Sequence, residues 1–165
     1  MLKDLYKRYL IHGAGATVFM MGALFAISHR QSPLFSGNQN TYLLDGIASA
    51  VGEPLASDWL ANQTSNVPVF SWLTEISYKI YPEIFYVYHF CLAFILIFSL
   101  YRICTYFQPK LKQRIPTVLF FTSISFMNYI GVPILSGIAE QYILGIAFQP
   151  SAFGVFLLAS VALFL

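Results

Sequence analysis

The carboxylates of this chain are concentrated. Seven Asp and Glu occur in 165 residues, and Asp45, Glu53 and Asp58 all fall within "GNQNTYLLDGIASAVGEPLASDW", Gly37 to Trp59. A carboxylate can take a proton from an attacking hydroxyl or bind a divalent cation, so this stretch is where chemistry is to be sought. Asp45 and Ser49 stand at i and i+4, on one helical face. Asp45 reads either as a catalytic group or as part of an ordinary polar face. Asp58 reads either as a general base or metal ligand, or as a solvated loop acid or helix cap. His29 and Arg30 offer phosphate-binding groups a little earlier, although residues at that height also serve as interface anchors. His89 lies inside an apolar run, where an ionisable group is a functional hypothesis. Its simpler reading is a neutral imidazole hydrogen-bonded to a neighbouring helix. Cys91 and Cys104 have neither metal-ligand nor disulfide-framework spacing and read as small buried hydrophobes, and no metal site is assigned.

The elements that must position these groups are apolar. With 58% hydrophobic and 10% charged residues and a mean hydropathy of +0.66, the composition is that of a membrane protein, since soluble domains carry about 25% charged residues. The net charge of +2 is small and scattered and indicates no nucleic-acid partner. The uncharged runs predict an all-α, polytopic membrane protein with about four transmembrane helices over 9–28, 84–103, 116–135 and 153–165, and a long outward loop over 29–83. A signal peptide is a poorer reading of the first run, which is longer than the usual h-region and ends in a weak cleavage site. Pro133 is expected to end or kink the third span. The fourth, "FGVFLLASVALFL", is too short to cross, so a single membrane domain truncated at its C-terminus is expected.

Charge sets the orientation. Seven of the nine bases lie before the first span or from the last turn of the second to the start of the third, whereas six of the seven acids lie in 29–83 or 136–152. Cytoplasmic loops retain Lys and Arg, so the N-terminus and the 104–115 connection are expected inside and the acidic loop outside.

That outer loop carries helical periodicity. Leu43, Leu44, Ile47, Ala48 and Val51 repeat with helical spacing over 42–51, with Asn38 or Asn40 able to cap and Gly52 able to terminate. After Pro68, the residues Val69, Phe70, Leu73, Ile76 and Ile80 form an apolar stripe with Ser77 at its edge, beside a Glu75–Lys79 pair. Trp72 and Tyr81 suit an interfacial aromatic belt. Helices lying on the membrane surface over 42–51 and 68–81 are expected, with "GEPLASDWLANQTSNVP" as ordered loop between them. "HGAGA" at 12–16 opens a transmembrane helix instead of following a strand, so its glycines read as helix-contact residues and not as a dinucleotide site. Asn62-Gln63-Thr64 is a glycosylation sequon, meaningful only in a eukaryotic secretory pathway.

The order "GNQNTYLLDGIASAVGEPLASDW", then "PVFSWLTEISYKIYP", then a span resembles the start of the GT-C superfamily of integral-membrane glycosyltransferases, which use polyprenyl-phosphate sugars. In that class the first outer loop carries a catalytic acid near its start, a tyrosine-containing helix, a Gly-containing turn and a Pro-led amphipathic helix. Tyr42, Gly52, Asp58 and Pro68 fall in the matching order, and "FQPSAFGVFLLASVALFL" looks like the start of a later span in bacterial members. The resemblance implies sugar transfer from a lipid-linked donor on the outer face of a bacterial inner membrane, with Asp45 or Asp58 catalytic and Asn38, Gln39, Arg30 and His29 in contact with substrate. Its partners would be membrane lipid and the lipid-linked donor; it implies no particular cofactor. Where many members place Asp-Glu or Asp, this chain has Asn38-Gln39, and an amide cannot act as a base. That points to a displaced acid or an inactive protein. A non-catalytic membrane subunit or scaffold is the rival reading. A transporter needs midplane ionisable groups or broken helices, for which only His89 and Pro133 speak.

Overall fold

The computed structural model describes residues 2–29, 31–37, 39–53, 55–60, 67–130 and 144–165. Among them the regular structure is entirely helical: α1 (Leu2–Ser28), α2 (Gln39–Val51), α3 (Pro68–Ile80), α4 (Ile84–Phe107), α5 (Arg114–Ile130) and α6 (Gly154–Phe164), with short 3-10 turns at Leu55–Ser57, Pro109–Lys112 and Pro150–Phe153. The all-helical expectation holds. Pro133, Glu140 and the Asn62 sequon lie outside the described residues. Among the described residues α4 is the one helix both long and apolar enough to cross a bilayer, with 24 residues and a mean hydropathy of 2.0; at about 1.5 Å per residue it reaches about 36 Å. α1 is longer, at 27 residues, and its apolar stretch among the residues with described side chains is Gly15–Ser28. The apolar part of α5 and the α6 segment are shorter than a span requires.

The chain divides into two compact units. The first holds residues 1–30, 93–141 and 155–165; the second holds 31–92 and 142–154, so α4 contributes its beginning to the second and its remainder to the first. In the first unit α5 packs on α1. The α4–α5 connection is knitted by the Tyr101 hydroxyl, 3.0 Å from Thr117 Oγ1, and by Thr117 Oγ1 donating to Leu111 O at 2.6 Å. Those bonds satisfy polar groups that an apolar surrounding would otherwise penalise. Gly22, not Gly15, marks a close helix contact: a Cβ at Gly22 would stand 3.1 Å from Phe94 Cε2, whereas at Gly15 it would meet nothing within 4 Å. Cys91, expected to be buried, is exposed. Phe85, His89, Leu92, Ala93 and Ile97 take the inward stripe of α4, and Cys91 falls between its turns.

The second unit is built on α2 against α3. Gly52, at φ +74°, ends α2 as a left-handed cap, its N–H donating to Ala48 O at 2.9 Å. Pro68 occupies the first turn of α3. The buried face of α2 is Gln39, Leu43, Gly46 and Ala48, and that of α3 is Phe70, Ser71, Thr74 and Ser77. The expected apolar stripe of α3 is split between two sides of the helix. Phe70 faces inward, but Val69 is 73% exposed, Trp72 62% and Ile80 70%, with Ile76 exposed beside them. The reason is steric. A Cβ at Gly46 would collide with Ser71 O and lie 2.6 Å from Thr74 Cβ, so the helices touch almost backbone to backbone and only small residues fit between them. At about 100° per residue, positions 69, 72, 76 and 80 share the opposite face, with Glu75 and Lys79 at its margin joined by a 2.6 Å ion pair.

Candidate functional site: a polar crevice and the carboxylates of the second unit

The second unit has an aromatic hub. Phe148, 2% exposed, lies within 5.4 Å of the Phe70 ring centroid, 5.7 Å of Phe85, 5.7 Å of Tyr88 and 6.1 Å of Phe153. These separations are those of favourable edge and offset ring pairs. The hub joins α3, the beginning of α4 and the irregular segment before α6.

Against the hub lies a tight polar crevice lined by Gln31, Ser32, Gln39, His89, Tyr86 and Phe148, among others, with no room inside it for a water molecule. His89, 1% exposed, donates from Nε2 to Gly145 O at 2.8 Å. Its partner is thus a loop carbonyl, where a neighbouring helix had been expected. Gln39, also 1% exposed, accepts from Phe35 N–H through Oε1 at 3.0 Å and donates from Nε2 to Phe148 O at 3.4 Å. The first bond holds a turn in which Phe35 is left-handed at φ +61°, a conformation costing a non-glycine residue about 1–2 kcal/mol. Ser32 N–H donates to Ile146 O at 2.7 Å, tying the residues after α1 to those before α6. Two oxygens of the crevice, Gln31 Oε1 and Ser32 Oγ, are buried without a partner among the described residues.

The carboxylates stand apart from this crevice. Asp45 is half-buried on α2, next to Gly46. Ser49 donates to the main-chain carbonyl of Asp45 at 3.0 Å, so the expected neighbours meet through backbone and not through the carboxylate. Asp58 is exposed, and its Oδ1 accepts from Leu60 N–H at 2.8 Å, the capping geometry of an Asx turn. No group of three His, Cys, Asp or Glu with metal-binding geometry occurs among the described residues. His29 is buried at the end of α1, its ring 5.7 Å from Phe25. Arg30 and Asn38 lie outside the described residues.

The structure therefore brings Gln39 and His89 into one polar crevice with Gln31 and Ser32. The last two escaped the sequence reading, since an isolated Gln-Ser pair after an apolar run carries no periodic or motif signal. Among known proteins, no family model, curated protein or solved structure matches this chain.

Proposed function

We propose that the chain belongs to a polytopic membrane glycosyltransferase that takes a sugar from a lipid-linked donor at the outer membrane surface. The observation that carries this reading is the folded state of the acid-bearing loop. α2 is locked on α3 through Gly46, so Asp45 next to it is held in place. A carboxylate fixed at the level of the headgroups can meet a donor whose sugar is presented at that level. The ordered resemblance to the GT-C enzymes supplies the reaction class, and the exposed Val69, Trp72, Ile76 and Ile80 face supplies a surface for the lipid interface.

In this reading Asp45 or Asp58 takes the proton of the acceptor hydroxyl as its oxygen bonds to the anomeric carbon. The bond from that carbon to the lipid phosphate breaks, and the phosphate leaves with the electron pair.

A second reading, a non-catalytic membrane subunit, is favoured by Gln39 and Asp58. Gln39 is committed to two structural hydrogen bonds and Asp58 caps its own turn. The two readings separate with Asp45→Asn and Asp58→Asn in the full chain, assayed for glycan transfer at matched expression. Losing a general base lowers the rate by about 10²–10⁴; full transfer by the single and double variants refutes the catalytic assignment of the two acids and leaves them the structural roles of the second reading.

A further inference from the structure

Within the first unit, the middle and second half of α4 and the C-terminal half of α6 enclose a groove of about 350 Å³ lined by Phe94, Ile95, Phe98, Ser99, Arg102, Ala159, Ala162 and Leu163. That volume is in the range of ligand sites. Its walls are apolar apart from two side chains. The Ser99 hydroxyl is turned back onto Ile95 O at 2.7 Å, which leaves Arg102 as the one lining group able to address a ligand's charge. Among the described residues Arg102 has no carboxylate within ion-pair distance. Arg102 is also the first of a run of cations. Lys110, Lys112 and Arg114 follow, all exposed, and no acid occurs from residue 84 to residue 139.

We infer that this groove binds one acyl chain of an anionic phospholipid, with the phosphate on the Arg102 guanidinium. Length and polarity agree. Arg102 is eighteen residues beyond Ile84, about 27 Å along a helix, so it reaches the far edge of a hydrocarbon core that α4 enters at Ile84. The apolar lining from Phe94 to Arg102 runs along α4 towards the core from that edge, as an acyl chain does from its headgroup. A guanidinium matches a phosphate in charge and in bidentate geometry, and basic pockets between membrane helices on the cytoplasmic side hold anionic headgroups. The groove lies at the basic end of α4, so it is distinct from any donor site on the acidic face. This inference rests on the membrane reading of α4 and not on sugar transfer.

The test uses the full chain, purified in mild detergent and incubated with equimolar phosphatidylglycerol and phosphatidylcholine, with bound lipid counted by native mass spectrometry. Phosphatidylglycerol should be retained about fivefold over phosphatidylcholine, the factor that one cation near a membrane surface contributes. Arg102→Gln should abolish that preference and Arg102→Lys preserve most of it. Ala159→Phe, which fills the groove, should lower retention of both lipids. Equal retention of the two lipids by the wild-type chain overturns the proposal. So does a preference untouched by Arg102→Gln, or a dimer that Ala159→Phe dissociates, which would place a second copy in the groove. Carbonate extraction of the native membranes tests the underlying reading separately: a chain released as soluble protein refutes the membrane assignment itself, whereas a retained chain without lipid preference refutes only the groove.

Discussion

Gly46 is the position at which the packing of α2 on α3 is most exposed to test. Adding a single methyl there, Gly46→Ala, places carbon against Ser71 O and 2.6 and 2.8 Å from Thr74 Cβ and Cγ2. Neither Ser71 O nor Thr74 Cβ can rotate away, because one is main chain and the other is fixed to it, so the helices themselves must separate. Overpacking of this kind costs about 1–3 kcal/mol, and a backbone obstacle puts it near the upper figure. Alanine returns about 1 kcal/mol through its helix propensity. The net loss is about 2 kcal/mol, or about 4–8 °C in Tm for a chain of this size. Gly15→Ala is the control, since α1 is helical there and its new methyl meets nothing within 4 Å; its Tm should stay level or rise. Thermal unfolding of the purified chain, followed by far-UV circular dichroism in one detergent, measures both. A Gly46→Ala protein as stable as wild type would refute the backbone-to-backbone contact and, with it, the explanation for the outward apolar face of α3.

Three further outcomes are expected. Thr74 is fully buried and its Oγ1 has no partner among the described residues, so Thr74→Val should raise stability by about 1 kcal/mol; a clear loss in the same melts would mean that the hydroxyl is bonded. Phe148→Ala, which empties the centre of the aromatic hub, should cost about 3–5 kcal/mol, read as the unfolding midpoint in a denaturant titration, and an unchanged midpoint would show that the hub does not hold the second unit. In a background lacking Cys91 and Cys104, a cysteine replacing exposed Trp59 should react with an impermeant maleimide on intact cells and one replacing Gln113 only after lysis; the reverse pattern would invert the topology.

The sequence was sufficient for the helices and their ends wherever a local rule applied. Leu43 to Val51 repeats with helical spacing, Gly52 supplies the left-handed cap, Pro68 starts α3 and Glu75 meets Lys79 one turn on, and each of these appears as expected. Hydropathy also located α4, which begins at Ile84 as expected and continues four residues past Ile103. These features depend on neighbours within about one helical turn, so composition and spacing carry them.

Which face of a helix turns inward was decided elsewhere. The apolar stripe of α3 did not say which side meets the protein: Phe70 faces in while Val69, Ile76 and Ile80 face out, because Gly46 on another helix admits only Ser71 and Thr74. Phe148 and Gly145 lie in an irregular segment with no period to read, and their roles as aromatic hub and histidine partner depend on residues more than fifty positions away. Gln39, which stands where many of the resembled enzymes carry an acid, forms a buried bracket between Phe35 and Phe148, the latter 109 residues on. Periodicity reports that a side chain lies on a face; what meets that face depends on the shape and hydrogen-bonding needs of a distant segment, and those are met only when the chain has folded.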